Sequence, residues 1–144
     1  MTQQEIDDRL IEVNRQMAED ESNRIQGFIE LKSWPMSDSG TGLRYWVYED
    51  RGGVHAKDGQ WASVRFEARL LDSTVVHSRD VEERFHVGHD DVETGLHEAI
   101  QLLGVGDKAY LILPAHLAFG LTGDMKSIPL QSSLVYDIEL LGLE

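Results

Sequence analysis

The sequence predicts an α+β fold, an antiparallel sheet of five to six strands wrapped around one short helix, preceded by an N-terminal helical extension. Apolar residues recur by threes and fours up to about residue 32, then alternate with a period of two from Gly40 onward, and a single further helical stripe interrupts the alternation. Glycine marks the changeover: Gly27 is the only one before Gly40, and the other twelve fall in residues 40–144. The expected division is an acidic helical extension over residues 1–35 and a sheet domain over residues 36–144.

The first element reads as helix from about Gln3 to Lys32, with Ile6, Leu10, Val13 and Met17, then Ile25, Phe28 and Ile29, on its apolar stripe. The stripe lapses over Asp20-Glu21-Ser22, where the helix either shifts its face or breaks. A continuous helix of this length spans roughly 42 Å, whereas the remaining residues form a body with a radius of gyration near 13 Å. Two arrangements follow, a helix folded back in two pieces or a protruding arm whose uncovered stripe pairs with a second copy of the chain.

Residues 61–71 place Val64, Phe66, Ala68 and Leu70 on one face and Ser63, Arg65, Glu67 and Arg69 on the other, an antiparallel strand with one wet side. Residues 133–141 repeat this, with Leu134, Tyr136, Ile138 and Leu140 inward and Asp137 and Glu139 outward. Weaker strand patterns cover residues 43–48, 74–77, 84–87 and 108–113. Between them Val92, Leu96, Ala99, Ile100 and Leu103 form the helical stripe, with Asp90 and Asp91 as candidate caps and Gly104 as the stop.

Composition removes several classes of function. Thirteen basic and 26 acidic residues give a net charge of −13, which repels phosphate backbones and anionic bilayers, so nucleic acid is not an expected partner. Without cysteine there is no disulfide, thiolate nucleophile, Cys-ligated zinc or Fe–S cluster. No run approaches 18 apolar residues, so no transmembrane segment is expected, and residues 1–10 lack the basic and apolar regions of a secretory signal, which points to the cytoplasm unless a leader has been removed. Gly104-Val-Gly106 leads into a strand rather than a helix and reads as a turn, not a phosphate cradle. His86 and His89 straddle a strand end and read as exposed strand-edge histidines rather than metal ligands. No cofactor and no metal is expected.

What stands out is a string of motifs in the C-terminal half. Gly95-Leu-His-Glu-Ala-Ile-Gln-Leu-Leu-Gly-Val-Gly-Asp-Lys-Ala is followed by Ile112-Leu-Pro-Ala-His-Leu-Ala-Phe-Gly120, then Ile128-Pro, then Leu134-Val-Tyr-Asp-Ile-Glu-Leu-Leu141. In this order, and with Thr41-Gly-Leu-Arg-Tyr45 and Leu70-Leu-Asp-Ser-Thr-Val-Val76 before it, the chain resembles the FKBP-type peptidyl-prolyl cis-trans isomerases over about 105 residues. Within that family the acidic helix followed by Gly42–Tyr48 is most similar to the gliding-motility-associated, lipoprotein-type members, which implies a place at the cell envelope or periplasm.

The resemblance implies rotation of X-Pro bonds in proline-containing polypeptide clients, without covalent chemistry. It also implies the residues that do it: Phe66 on the long strand, Phe85 on the strand before the helix, Val92 and Glu93 at the helix start, with the Glu93 amide donating to a substrate carbonyl, then Phe119, Ile128 and Tyr136. Three departures stand beside these. Val76 and His77 occupy positions where the family commonly has Phe-Asp, Leu96 occupies that of the floor tryptophan, and Phe119 that of a tyrosine. Periodicity alone assigns Phe66, Phe85, Val92, Leu96 and Tyr136 to the core, and His77 reads as an exposed spectator; the family register makes them a site. The departures imply weakened isomerase activity and poor affinity for the macrolides that fill this pocket in typical members. The competing expectation is an FKBP-fold binding or assembly module with a relic pocket, partnering through its N-terminal helix.

Overall fold

The computed structural model describes residues 1–78, 82–89, 92–120, 128 and 132–144. Helix α1 runs unbroken over Gln3–Lys32. The Thr2 hydroxyl caps it by accepting the Glu5 amide at 3.1 Å, and Ser33, left-handed at φ 57°, ends it by donating its amide to the Glu30 and Ile29 carbonyls. The break considered at residues 20–22 is absent. Glu21, Ile25 and Ile29, spaced by fours, all bury on one side, so the docked face runs straight through the apparent lapse, using a carboxylate where the pattern asks for an aliphatic residue.

The N-terminal half of α1 is uncovered. Ile6, Leu10 and Val13 are 38%, 56% and 53% exposed, and these turns are supported by side-chain pairs four apart, such as Gln3 with Asp7 and Arg15 with Glu19, instead of by packing.

Among the described residues seven strands follow: β1 (Ser37–Asp38), β2 (Arg44–Glu49), β3 (Trp61–Leu70), β4 (Val75–His77), β5 (Glu82–His86), β6 (Lys108–Leu113) and β7 (Leu134–Leu143). They form one antiparallel sheet in the order β1-β2-β6-β7-β3-β4, with β5 also on β3. The strand beyond the expected six is β1, whose two residues are too few to show an alternation. β3 is the spine: β7 lines one of its sides, while β5 pairs with its first half and β4 with its end.

Helix α2 occupies Thr94–Ile100, shorter than the apolar stripe from Val92 to Leu103. Glu93 holds the cap position, and the expected caps Asp90 and Asp91 lie outside the described residues. After Ile100 the chain continues as turns, the Leu103 amide donating to the Ile100 carbonyl at 3.1 Å. Gly95 lets α2 close on the sheet, because a Cβ there would stand 2.6 Å from Leu113 Cγ and 3.0 Å from the Leu117 carbonyl oxygen. That approach outweighs the roughly 1 kcal/mol that a helical glycine costs.

The main core lies between α2 and the inward residues of the sheet, where Val64, Ile138, Leu140, Ala99 and Ile100 are essentially inaccessible. Each large aliphatic buried this way contributes roughly 1.5–3 kcal/mol. A second, smaller core covers part of the face expected to be wet. Ile25 and Ile29 of α1 pack on Ile112 of β6 and Val135 of β7, flanked by Phe28, Trp34 and Met36. Around it Trp34 stacks on Tyr110 at 4.2 Å, and Tyr110 meets Tyr48 at 4.7 Å.

Candidate active site

A cavity of about 220 Å³ lies between the start of α2 and the inner face of β3, β4, β5 and β7. Phe66, Val76, His77, Phe85, Val92, Glu93, Leu96, Phe119, Ile128 and Tyr136 all line it. The strands supply the rings by alternation, since residues two apart share a face. Phe66 sits on the spine strand, Tyr136 on β7 to one side of it and His77 on β4 to the other. The Phe66 ring is stacked on Tyr136 at 5.2 Å and on His77 at 4.3 Å, giving a row of three near-parallel rings. Phe85 is buried on β5, with its ring edge-to-face with His97 of α2 at 5.6 Å. Leu96, 2% exposed, faces the cavity from α2.

His77 is half-buried in this wall rather than an exposed spectator, held by the ring stack, with Glu83 Oε1 3.2 Å from its Nε2. Phe119 is placed by a short 3₁₀ turn, Ala115–Leu117: the amides of Ala118 and Gly120, on either side of it, both donate to the Ala115 carbonyl, at 3.0 and 2.8 Å. Glu93 accepts the Leu96 amide on its carbonyl at 2.9 Å, which starts α2.

Three further residues, Ala68, Glu83 and Leu134, line the same cavity. Each is two residues from a ring already named, Phe66, Phe85 and Tyr136 respectively, so the period of two carries their signal.

Two groups give the cavity a polar character. Burial raises the Glu93 carboxyl above the ordinary carboxylate range, against the opposing pull of its own backbone amide and of a hydrogen bond with the Tyr136 hydroxyl. Burial, and then the Glu93 charge, push the Tyr136 hydroxyl well above its ordinary value. Two acidic residues, Glu83 and Glu93, line the cavity, and Glu82 is exposed on β5. Arg84 is drawn to Glu144 at 2.7 Å and over the Trp61 ring at 4.7 Å. Arg79, Asp80, Asp90 and Asp91 lie outside the described residues.

Elsewhere, His86 is stacked between Trp61 at 4.7 Å and His89 at 4.5 Å, and its Nε2 lies 2.9 Å from the Gly59 carbonyl. No group of three His, Asp or Glu residues among the described residues is close enough to hold a metal ion. Gly104-Val-Gly106 is a turn, with the Gly104 amide donating to Asp107 at 2.8 Å. A cavity of about 250 Å³ on the outer face, beside Phe28, Trp34 and Tyr110, holds none of the sequence-predicted site residues.

The fold, a sheet wrapped on one helix, is shared with two solved structures. The structure of a peptidyl-prolyl cis-trans isomerase from Pseudomonas syringae pv. tomato superposes with a TM-score of 0.78 over 90% of this chain and 95% of its own, at 22% identity. FkpA from Escherichia coli matches with a TM-score of 0.72 over all of this chain and 74% of its own, at 27% identity. In sequence, peptidyl-prolyl cis-trans isomerase Fkbp12 of Drosophila melanogaster is 34% identical over 65% of this chain and 89% of its own. FkpA of Buchnera aphidicola is 29% identical over 84% of this chain, which spans about half of that protein's length. The profile of the family described as FKBP-type peptidyl-prolyl cis-trans isomerase matches residues 52–141. The chain belongs to that family and is a peptidyl-prolyl cis-trans isomerase by class. Among the described residues, no helix is long and apolar enough to cross a membrane.

Proposed function

We propose that the chain assists protein folding by isomerising X-Pro bonds of polypeptide clients in the cavity between α2 and the sheet, at a rate below that of typical family members. The observation that carries this is the convergence of Phe66, Phe85, Phe119, Ile128 and Tyr136 on one cavity from three strands and the β6–β7 connection. A peptide bond resists rotation with a barrier of about 18–20 kcal/mol, and the twisted amide has lost the resonance that gives its ends their polarity. A ring-lined, water-poor pocket that grips the pyrrolidine ring therefore stabilises the twisted form more than either planar form, and the rate rises with no bond made or broken. The Glu93 amide, at the helix start, is the donor assigned to the substrate carbonyl.

The reduction in rate follows from what the lining lacks. Phe119 has no hydroxyl to donate, and Leu96 offers an aliphatic floor where a ring would fill the space. Glu93 and His77 place polar groups where an apolar pocket would hold the proline better. Magnetisation-exchange NMR on a Leu-Pro or Phe-Pro peptide tests the reading: catalysis above the uncatalysed rate that falls with Phe66→Ala supports it, and a rate indistinguishable from Phe66→Ala overturns it.

A second reading, an assembly module, draws on α1. Ile6, Leu10 and Val13 leave an uncovered stripe that fits a second copy of the same helix, so the proposed units are a partnering extension over residues 1–35 and an isomerase domain over residues 36–144. Light scattering on the full chain and on Leu10→Asp/Val13→Asp decides this; equal monomeric masses overturn it. Placement at the cell envelope, and kinship with gliding-motility lipoproteins, rest on the similarity of Gly42–Tyr48, and fractionation of the native host tests them.

A further inference from the structure

Glu21 is 7% exposed, a charged residue buried where α1 meets the body. One oxygen, Oε2, accepts both the Ala115 amide at 2.9 Å and the Ser133 hydroxyl at 2.8 Å. These two donors stand near the two ends of the connection from β6 to β7, the stretch that carries Phe119 and Ile128. At the first end the link to the cavity is a single residue long. The Ala115 amide is given to Glu21, while the Ala115 carbonyl accepts the amides of Ala118 and Gly120 that bracket Phe119. At the second end Ser133 immediately precedes Leu134, which lines the cavity.

The local chemistry explains why a carboxylate is needed. The first amides of a helical turn have no acceptor within it, and Pro114, just before, has no amide to offer, so the Ala115 amide points outward and must find a partner. Docking of α1 does not itself require Glu21, because Ile25 and Ile29 already pack on Ile112 and Val135. An aliphatic residue at position 21 would extend that contact without the desolvation a buried carboxylate incurs. The carboxylate fits the two donors, not the helix.

We infer that Glu21 is a positioning residue for the isomerase pocket: through one carboxylate oxygen the helical extension fixes both ends of the segment that presents Phe119 and Ile128 to the substrate. This rests on the isomerase reading and assigns the extension a part in the reaction, separate from any pairing of its exposed half. Two hydrogen bonds to a buried charge hold the turn, and losing them leaves two donors without an acceptor.

The test uses the full-length chain with Glu21→Leu, Glu21→Gln and Ser133→Ala, read by magnetisation exchange on a Phe-Pro peptide and by the NMR signals of the Phe119 ring and the Ala115 amide. Glu21→Leu should lower kcat/KM roughly three- to tenfold and shift both signals while leaving the Trp61 indole signal in place. Glu21→Gln, whose amide oxygen accepts from the same two donors, should restore most of the rate, and Ser133→Ala should fall between. Unmoved Phe119 and Ala115 signals in Glu21→Leu, whatever its melting temperature, overturn the inference. Should Glu21→Leu not fold, an unmoved Phe119 ring in Ser133→Ala does so. A parent chain without catalysis would remove the isomerase reading, while the Phe119 shift would still decide the role of Glu21.

Discussion

The imidazole of His77 is stacked on the Phe66 ring at 4.3 Å and 17°, with the Glu83 carboxylate 3.2 Å from its Nε2. The family commonly places a carboxylate at this position, and here the ring stack and the neighbouring acid make a carboxylate unfavourable. His77→Asp removes a ring contact of a class worth about 0.5–1.5 kcal/mol and sets two like charges side by side. The expected result is a lower urea midpoint and no gain in isomerisation. A variant as stable as the parent and faster would show that the stack has no energetic role.

Phe119→Tyr restores a hydroxyl at the cavity rim. A substrate hydrogen bond of about 0.5–1.5 kcal/mol realised in the twisted state is worth up to about tenfold in rate, so peptide isomerisation should accelerate by a few-fold with little change in melting temperature. Leu96→Trp addresses the floor. By filling it, the substitution should strengthen binding of a pocket-filling macrolide above the weak binding expected of the parent chain, as isothermal titration would register. An unchanged rate in Phe119→Tyr would mean that the ring edge does not reach the substrate.

Glu93 contributes to the pH dependence of stability. Its carboxyl is raised in the folded state, chiefly by burial, so the folded chain holds this proton more tightly than the unfolded chain does. The associated stability is fully present below the ordinary glutamate value, about 4.3, and is lost as pH rises through the raised value in the folded state. Exposed carboxylates such as Glu12 and Asp72, which are lowered by Arg15 and by Thr74, act in the opposite sense, and a difference profile removes them. The melting temperature of the parent minus that of Glu93→Gln should therefore decline between pH 4 and neutrality. A flat difference would mean that Glu93 is solvated. The Tyr136 hydroxyl, raised for the same reason, adds a decline of the same sign only in alkali.

The inward faces of β3 and β7 and the stripe of α2 were legible in the sequence because these elements are long enough to show their periods, but periodicity alone assigned Phe66, Phe85 and Tyr136 to the core, and only the order of the family motifs marked them as a site. Four features were not legible. β1 is too short to carry any period. Val135 and Ile112 point away from the main core, and whether they meet water is decided by Ile25 and Ile29, far away in sequence. Glu21 looked like a gap in an apolar stripe because a stripe counts carbon, whereas its partners, a backbone amide and a serine hydroxyl, are invisible to hydropathy. The continuity of α1 was unreadable for the same reason, since the residue that seemed to break the docked face belongs to it.

The last expectation concerns client charge. Glu83 and Glu93 line the cavity, no lysine or arginine among the described residues does so, and Arg84 is turned aside toward Glu144 and Trp61. In a chain of net charge −13, a client with a lysine or arginine beside its proline is therefore attracted and an acidic one repelled. At partly exposed sites such a pair is worth up to about 1 kcal/mol, or roughly fivefold in kcat/KM at low salt. The preference should fade as the Debye length falls to about 3 Å in 1 M salt. Isomerisation of Lys-, Ala- and Glu-flanked peptides across a salt series checks this: the Lys/Glu ratio should be greatest at low salt and approach one at high salt, and Glu83→Gln should shrink it at low salt alone. A ratio independent of salt would place the discrimination in the shape of the pocket and not in its charge.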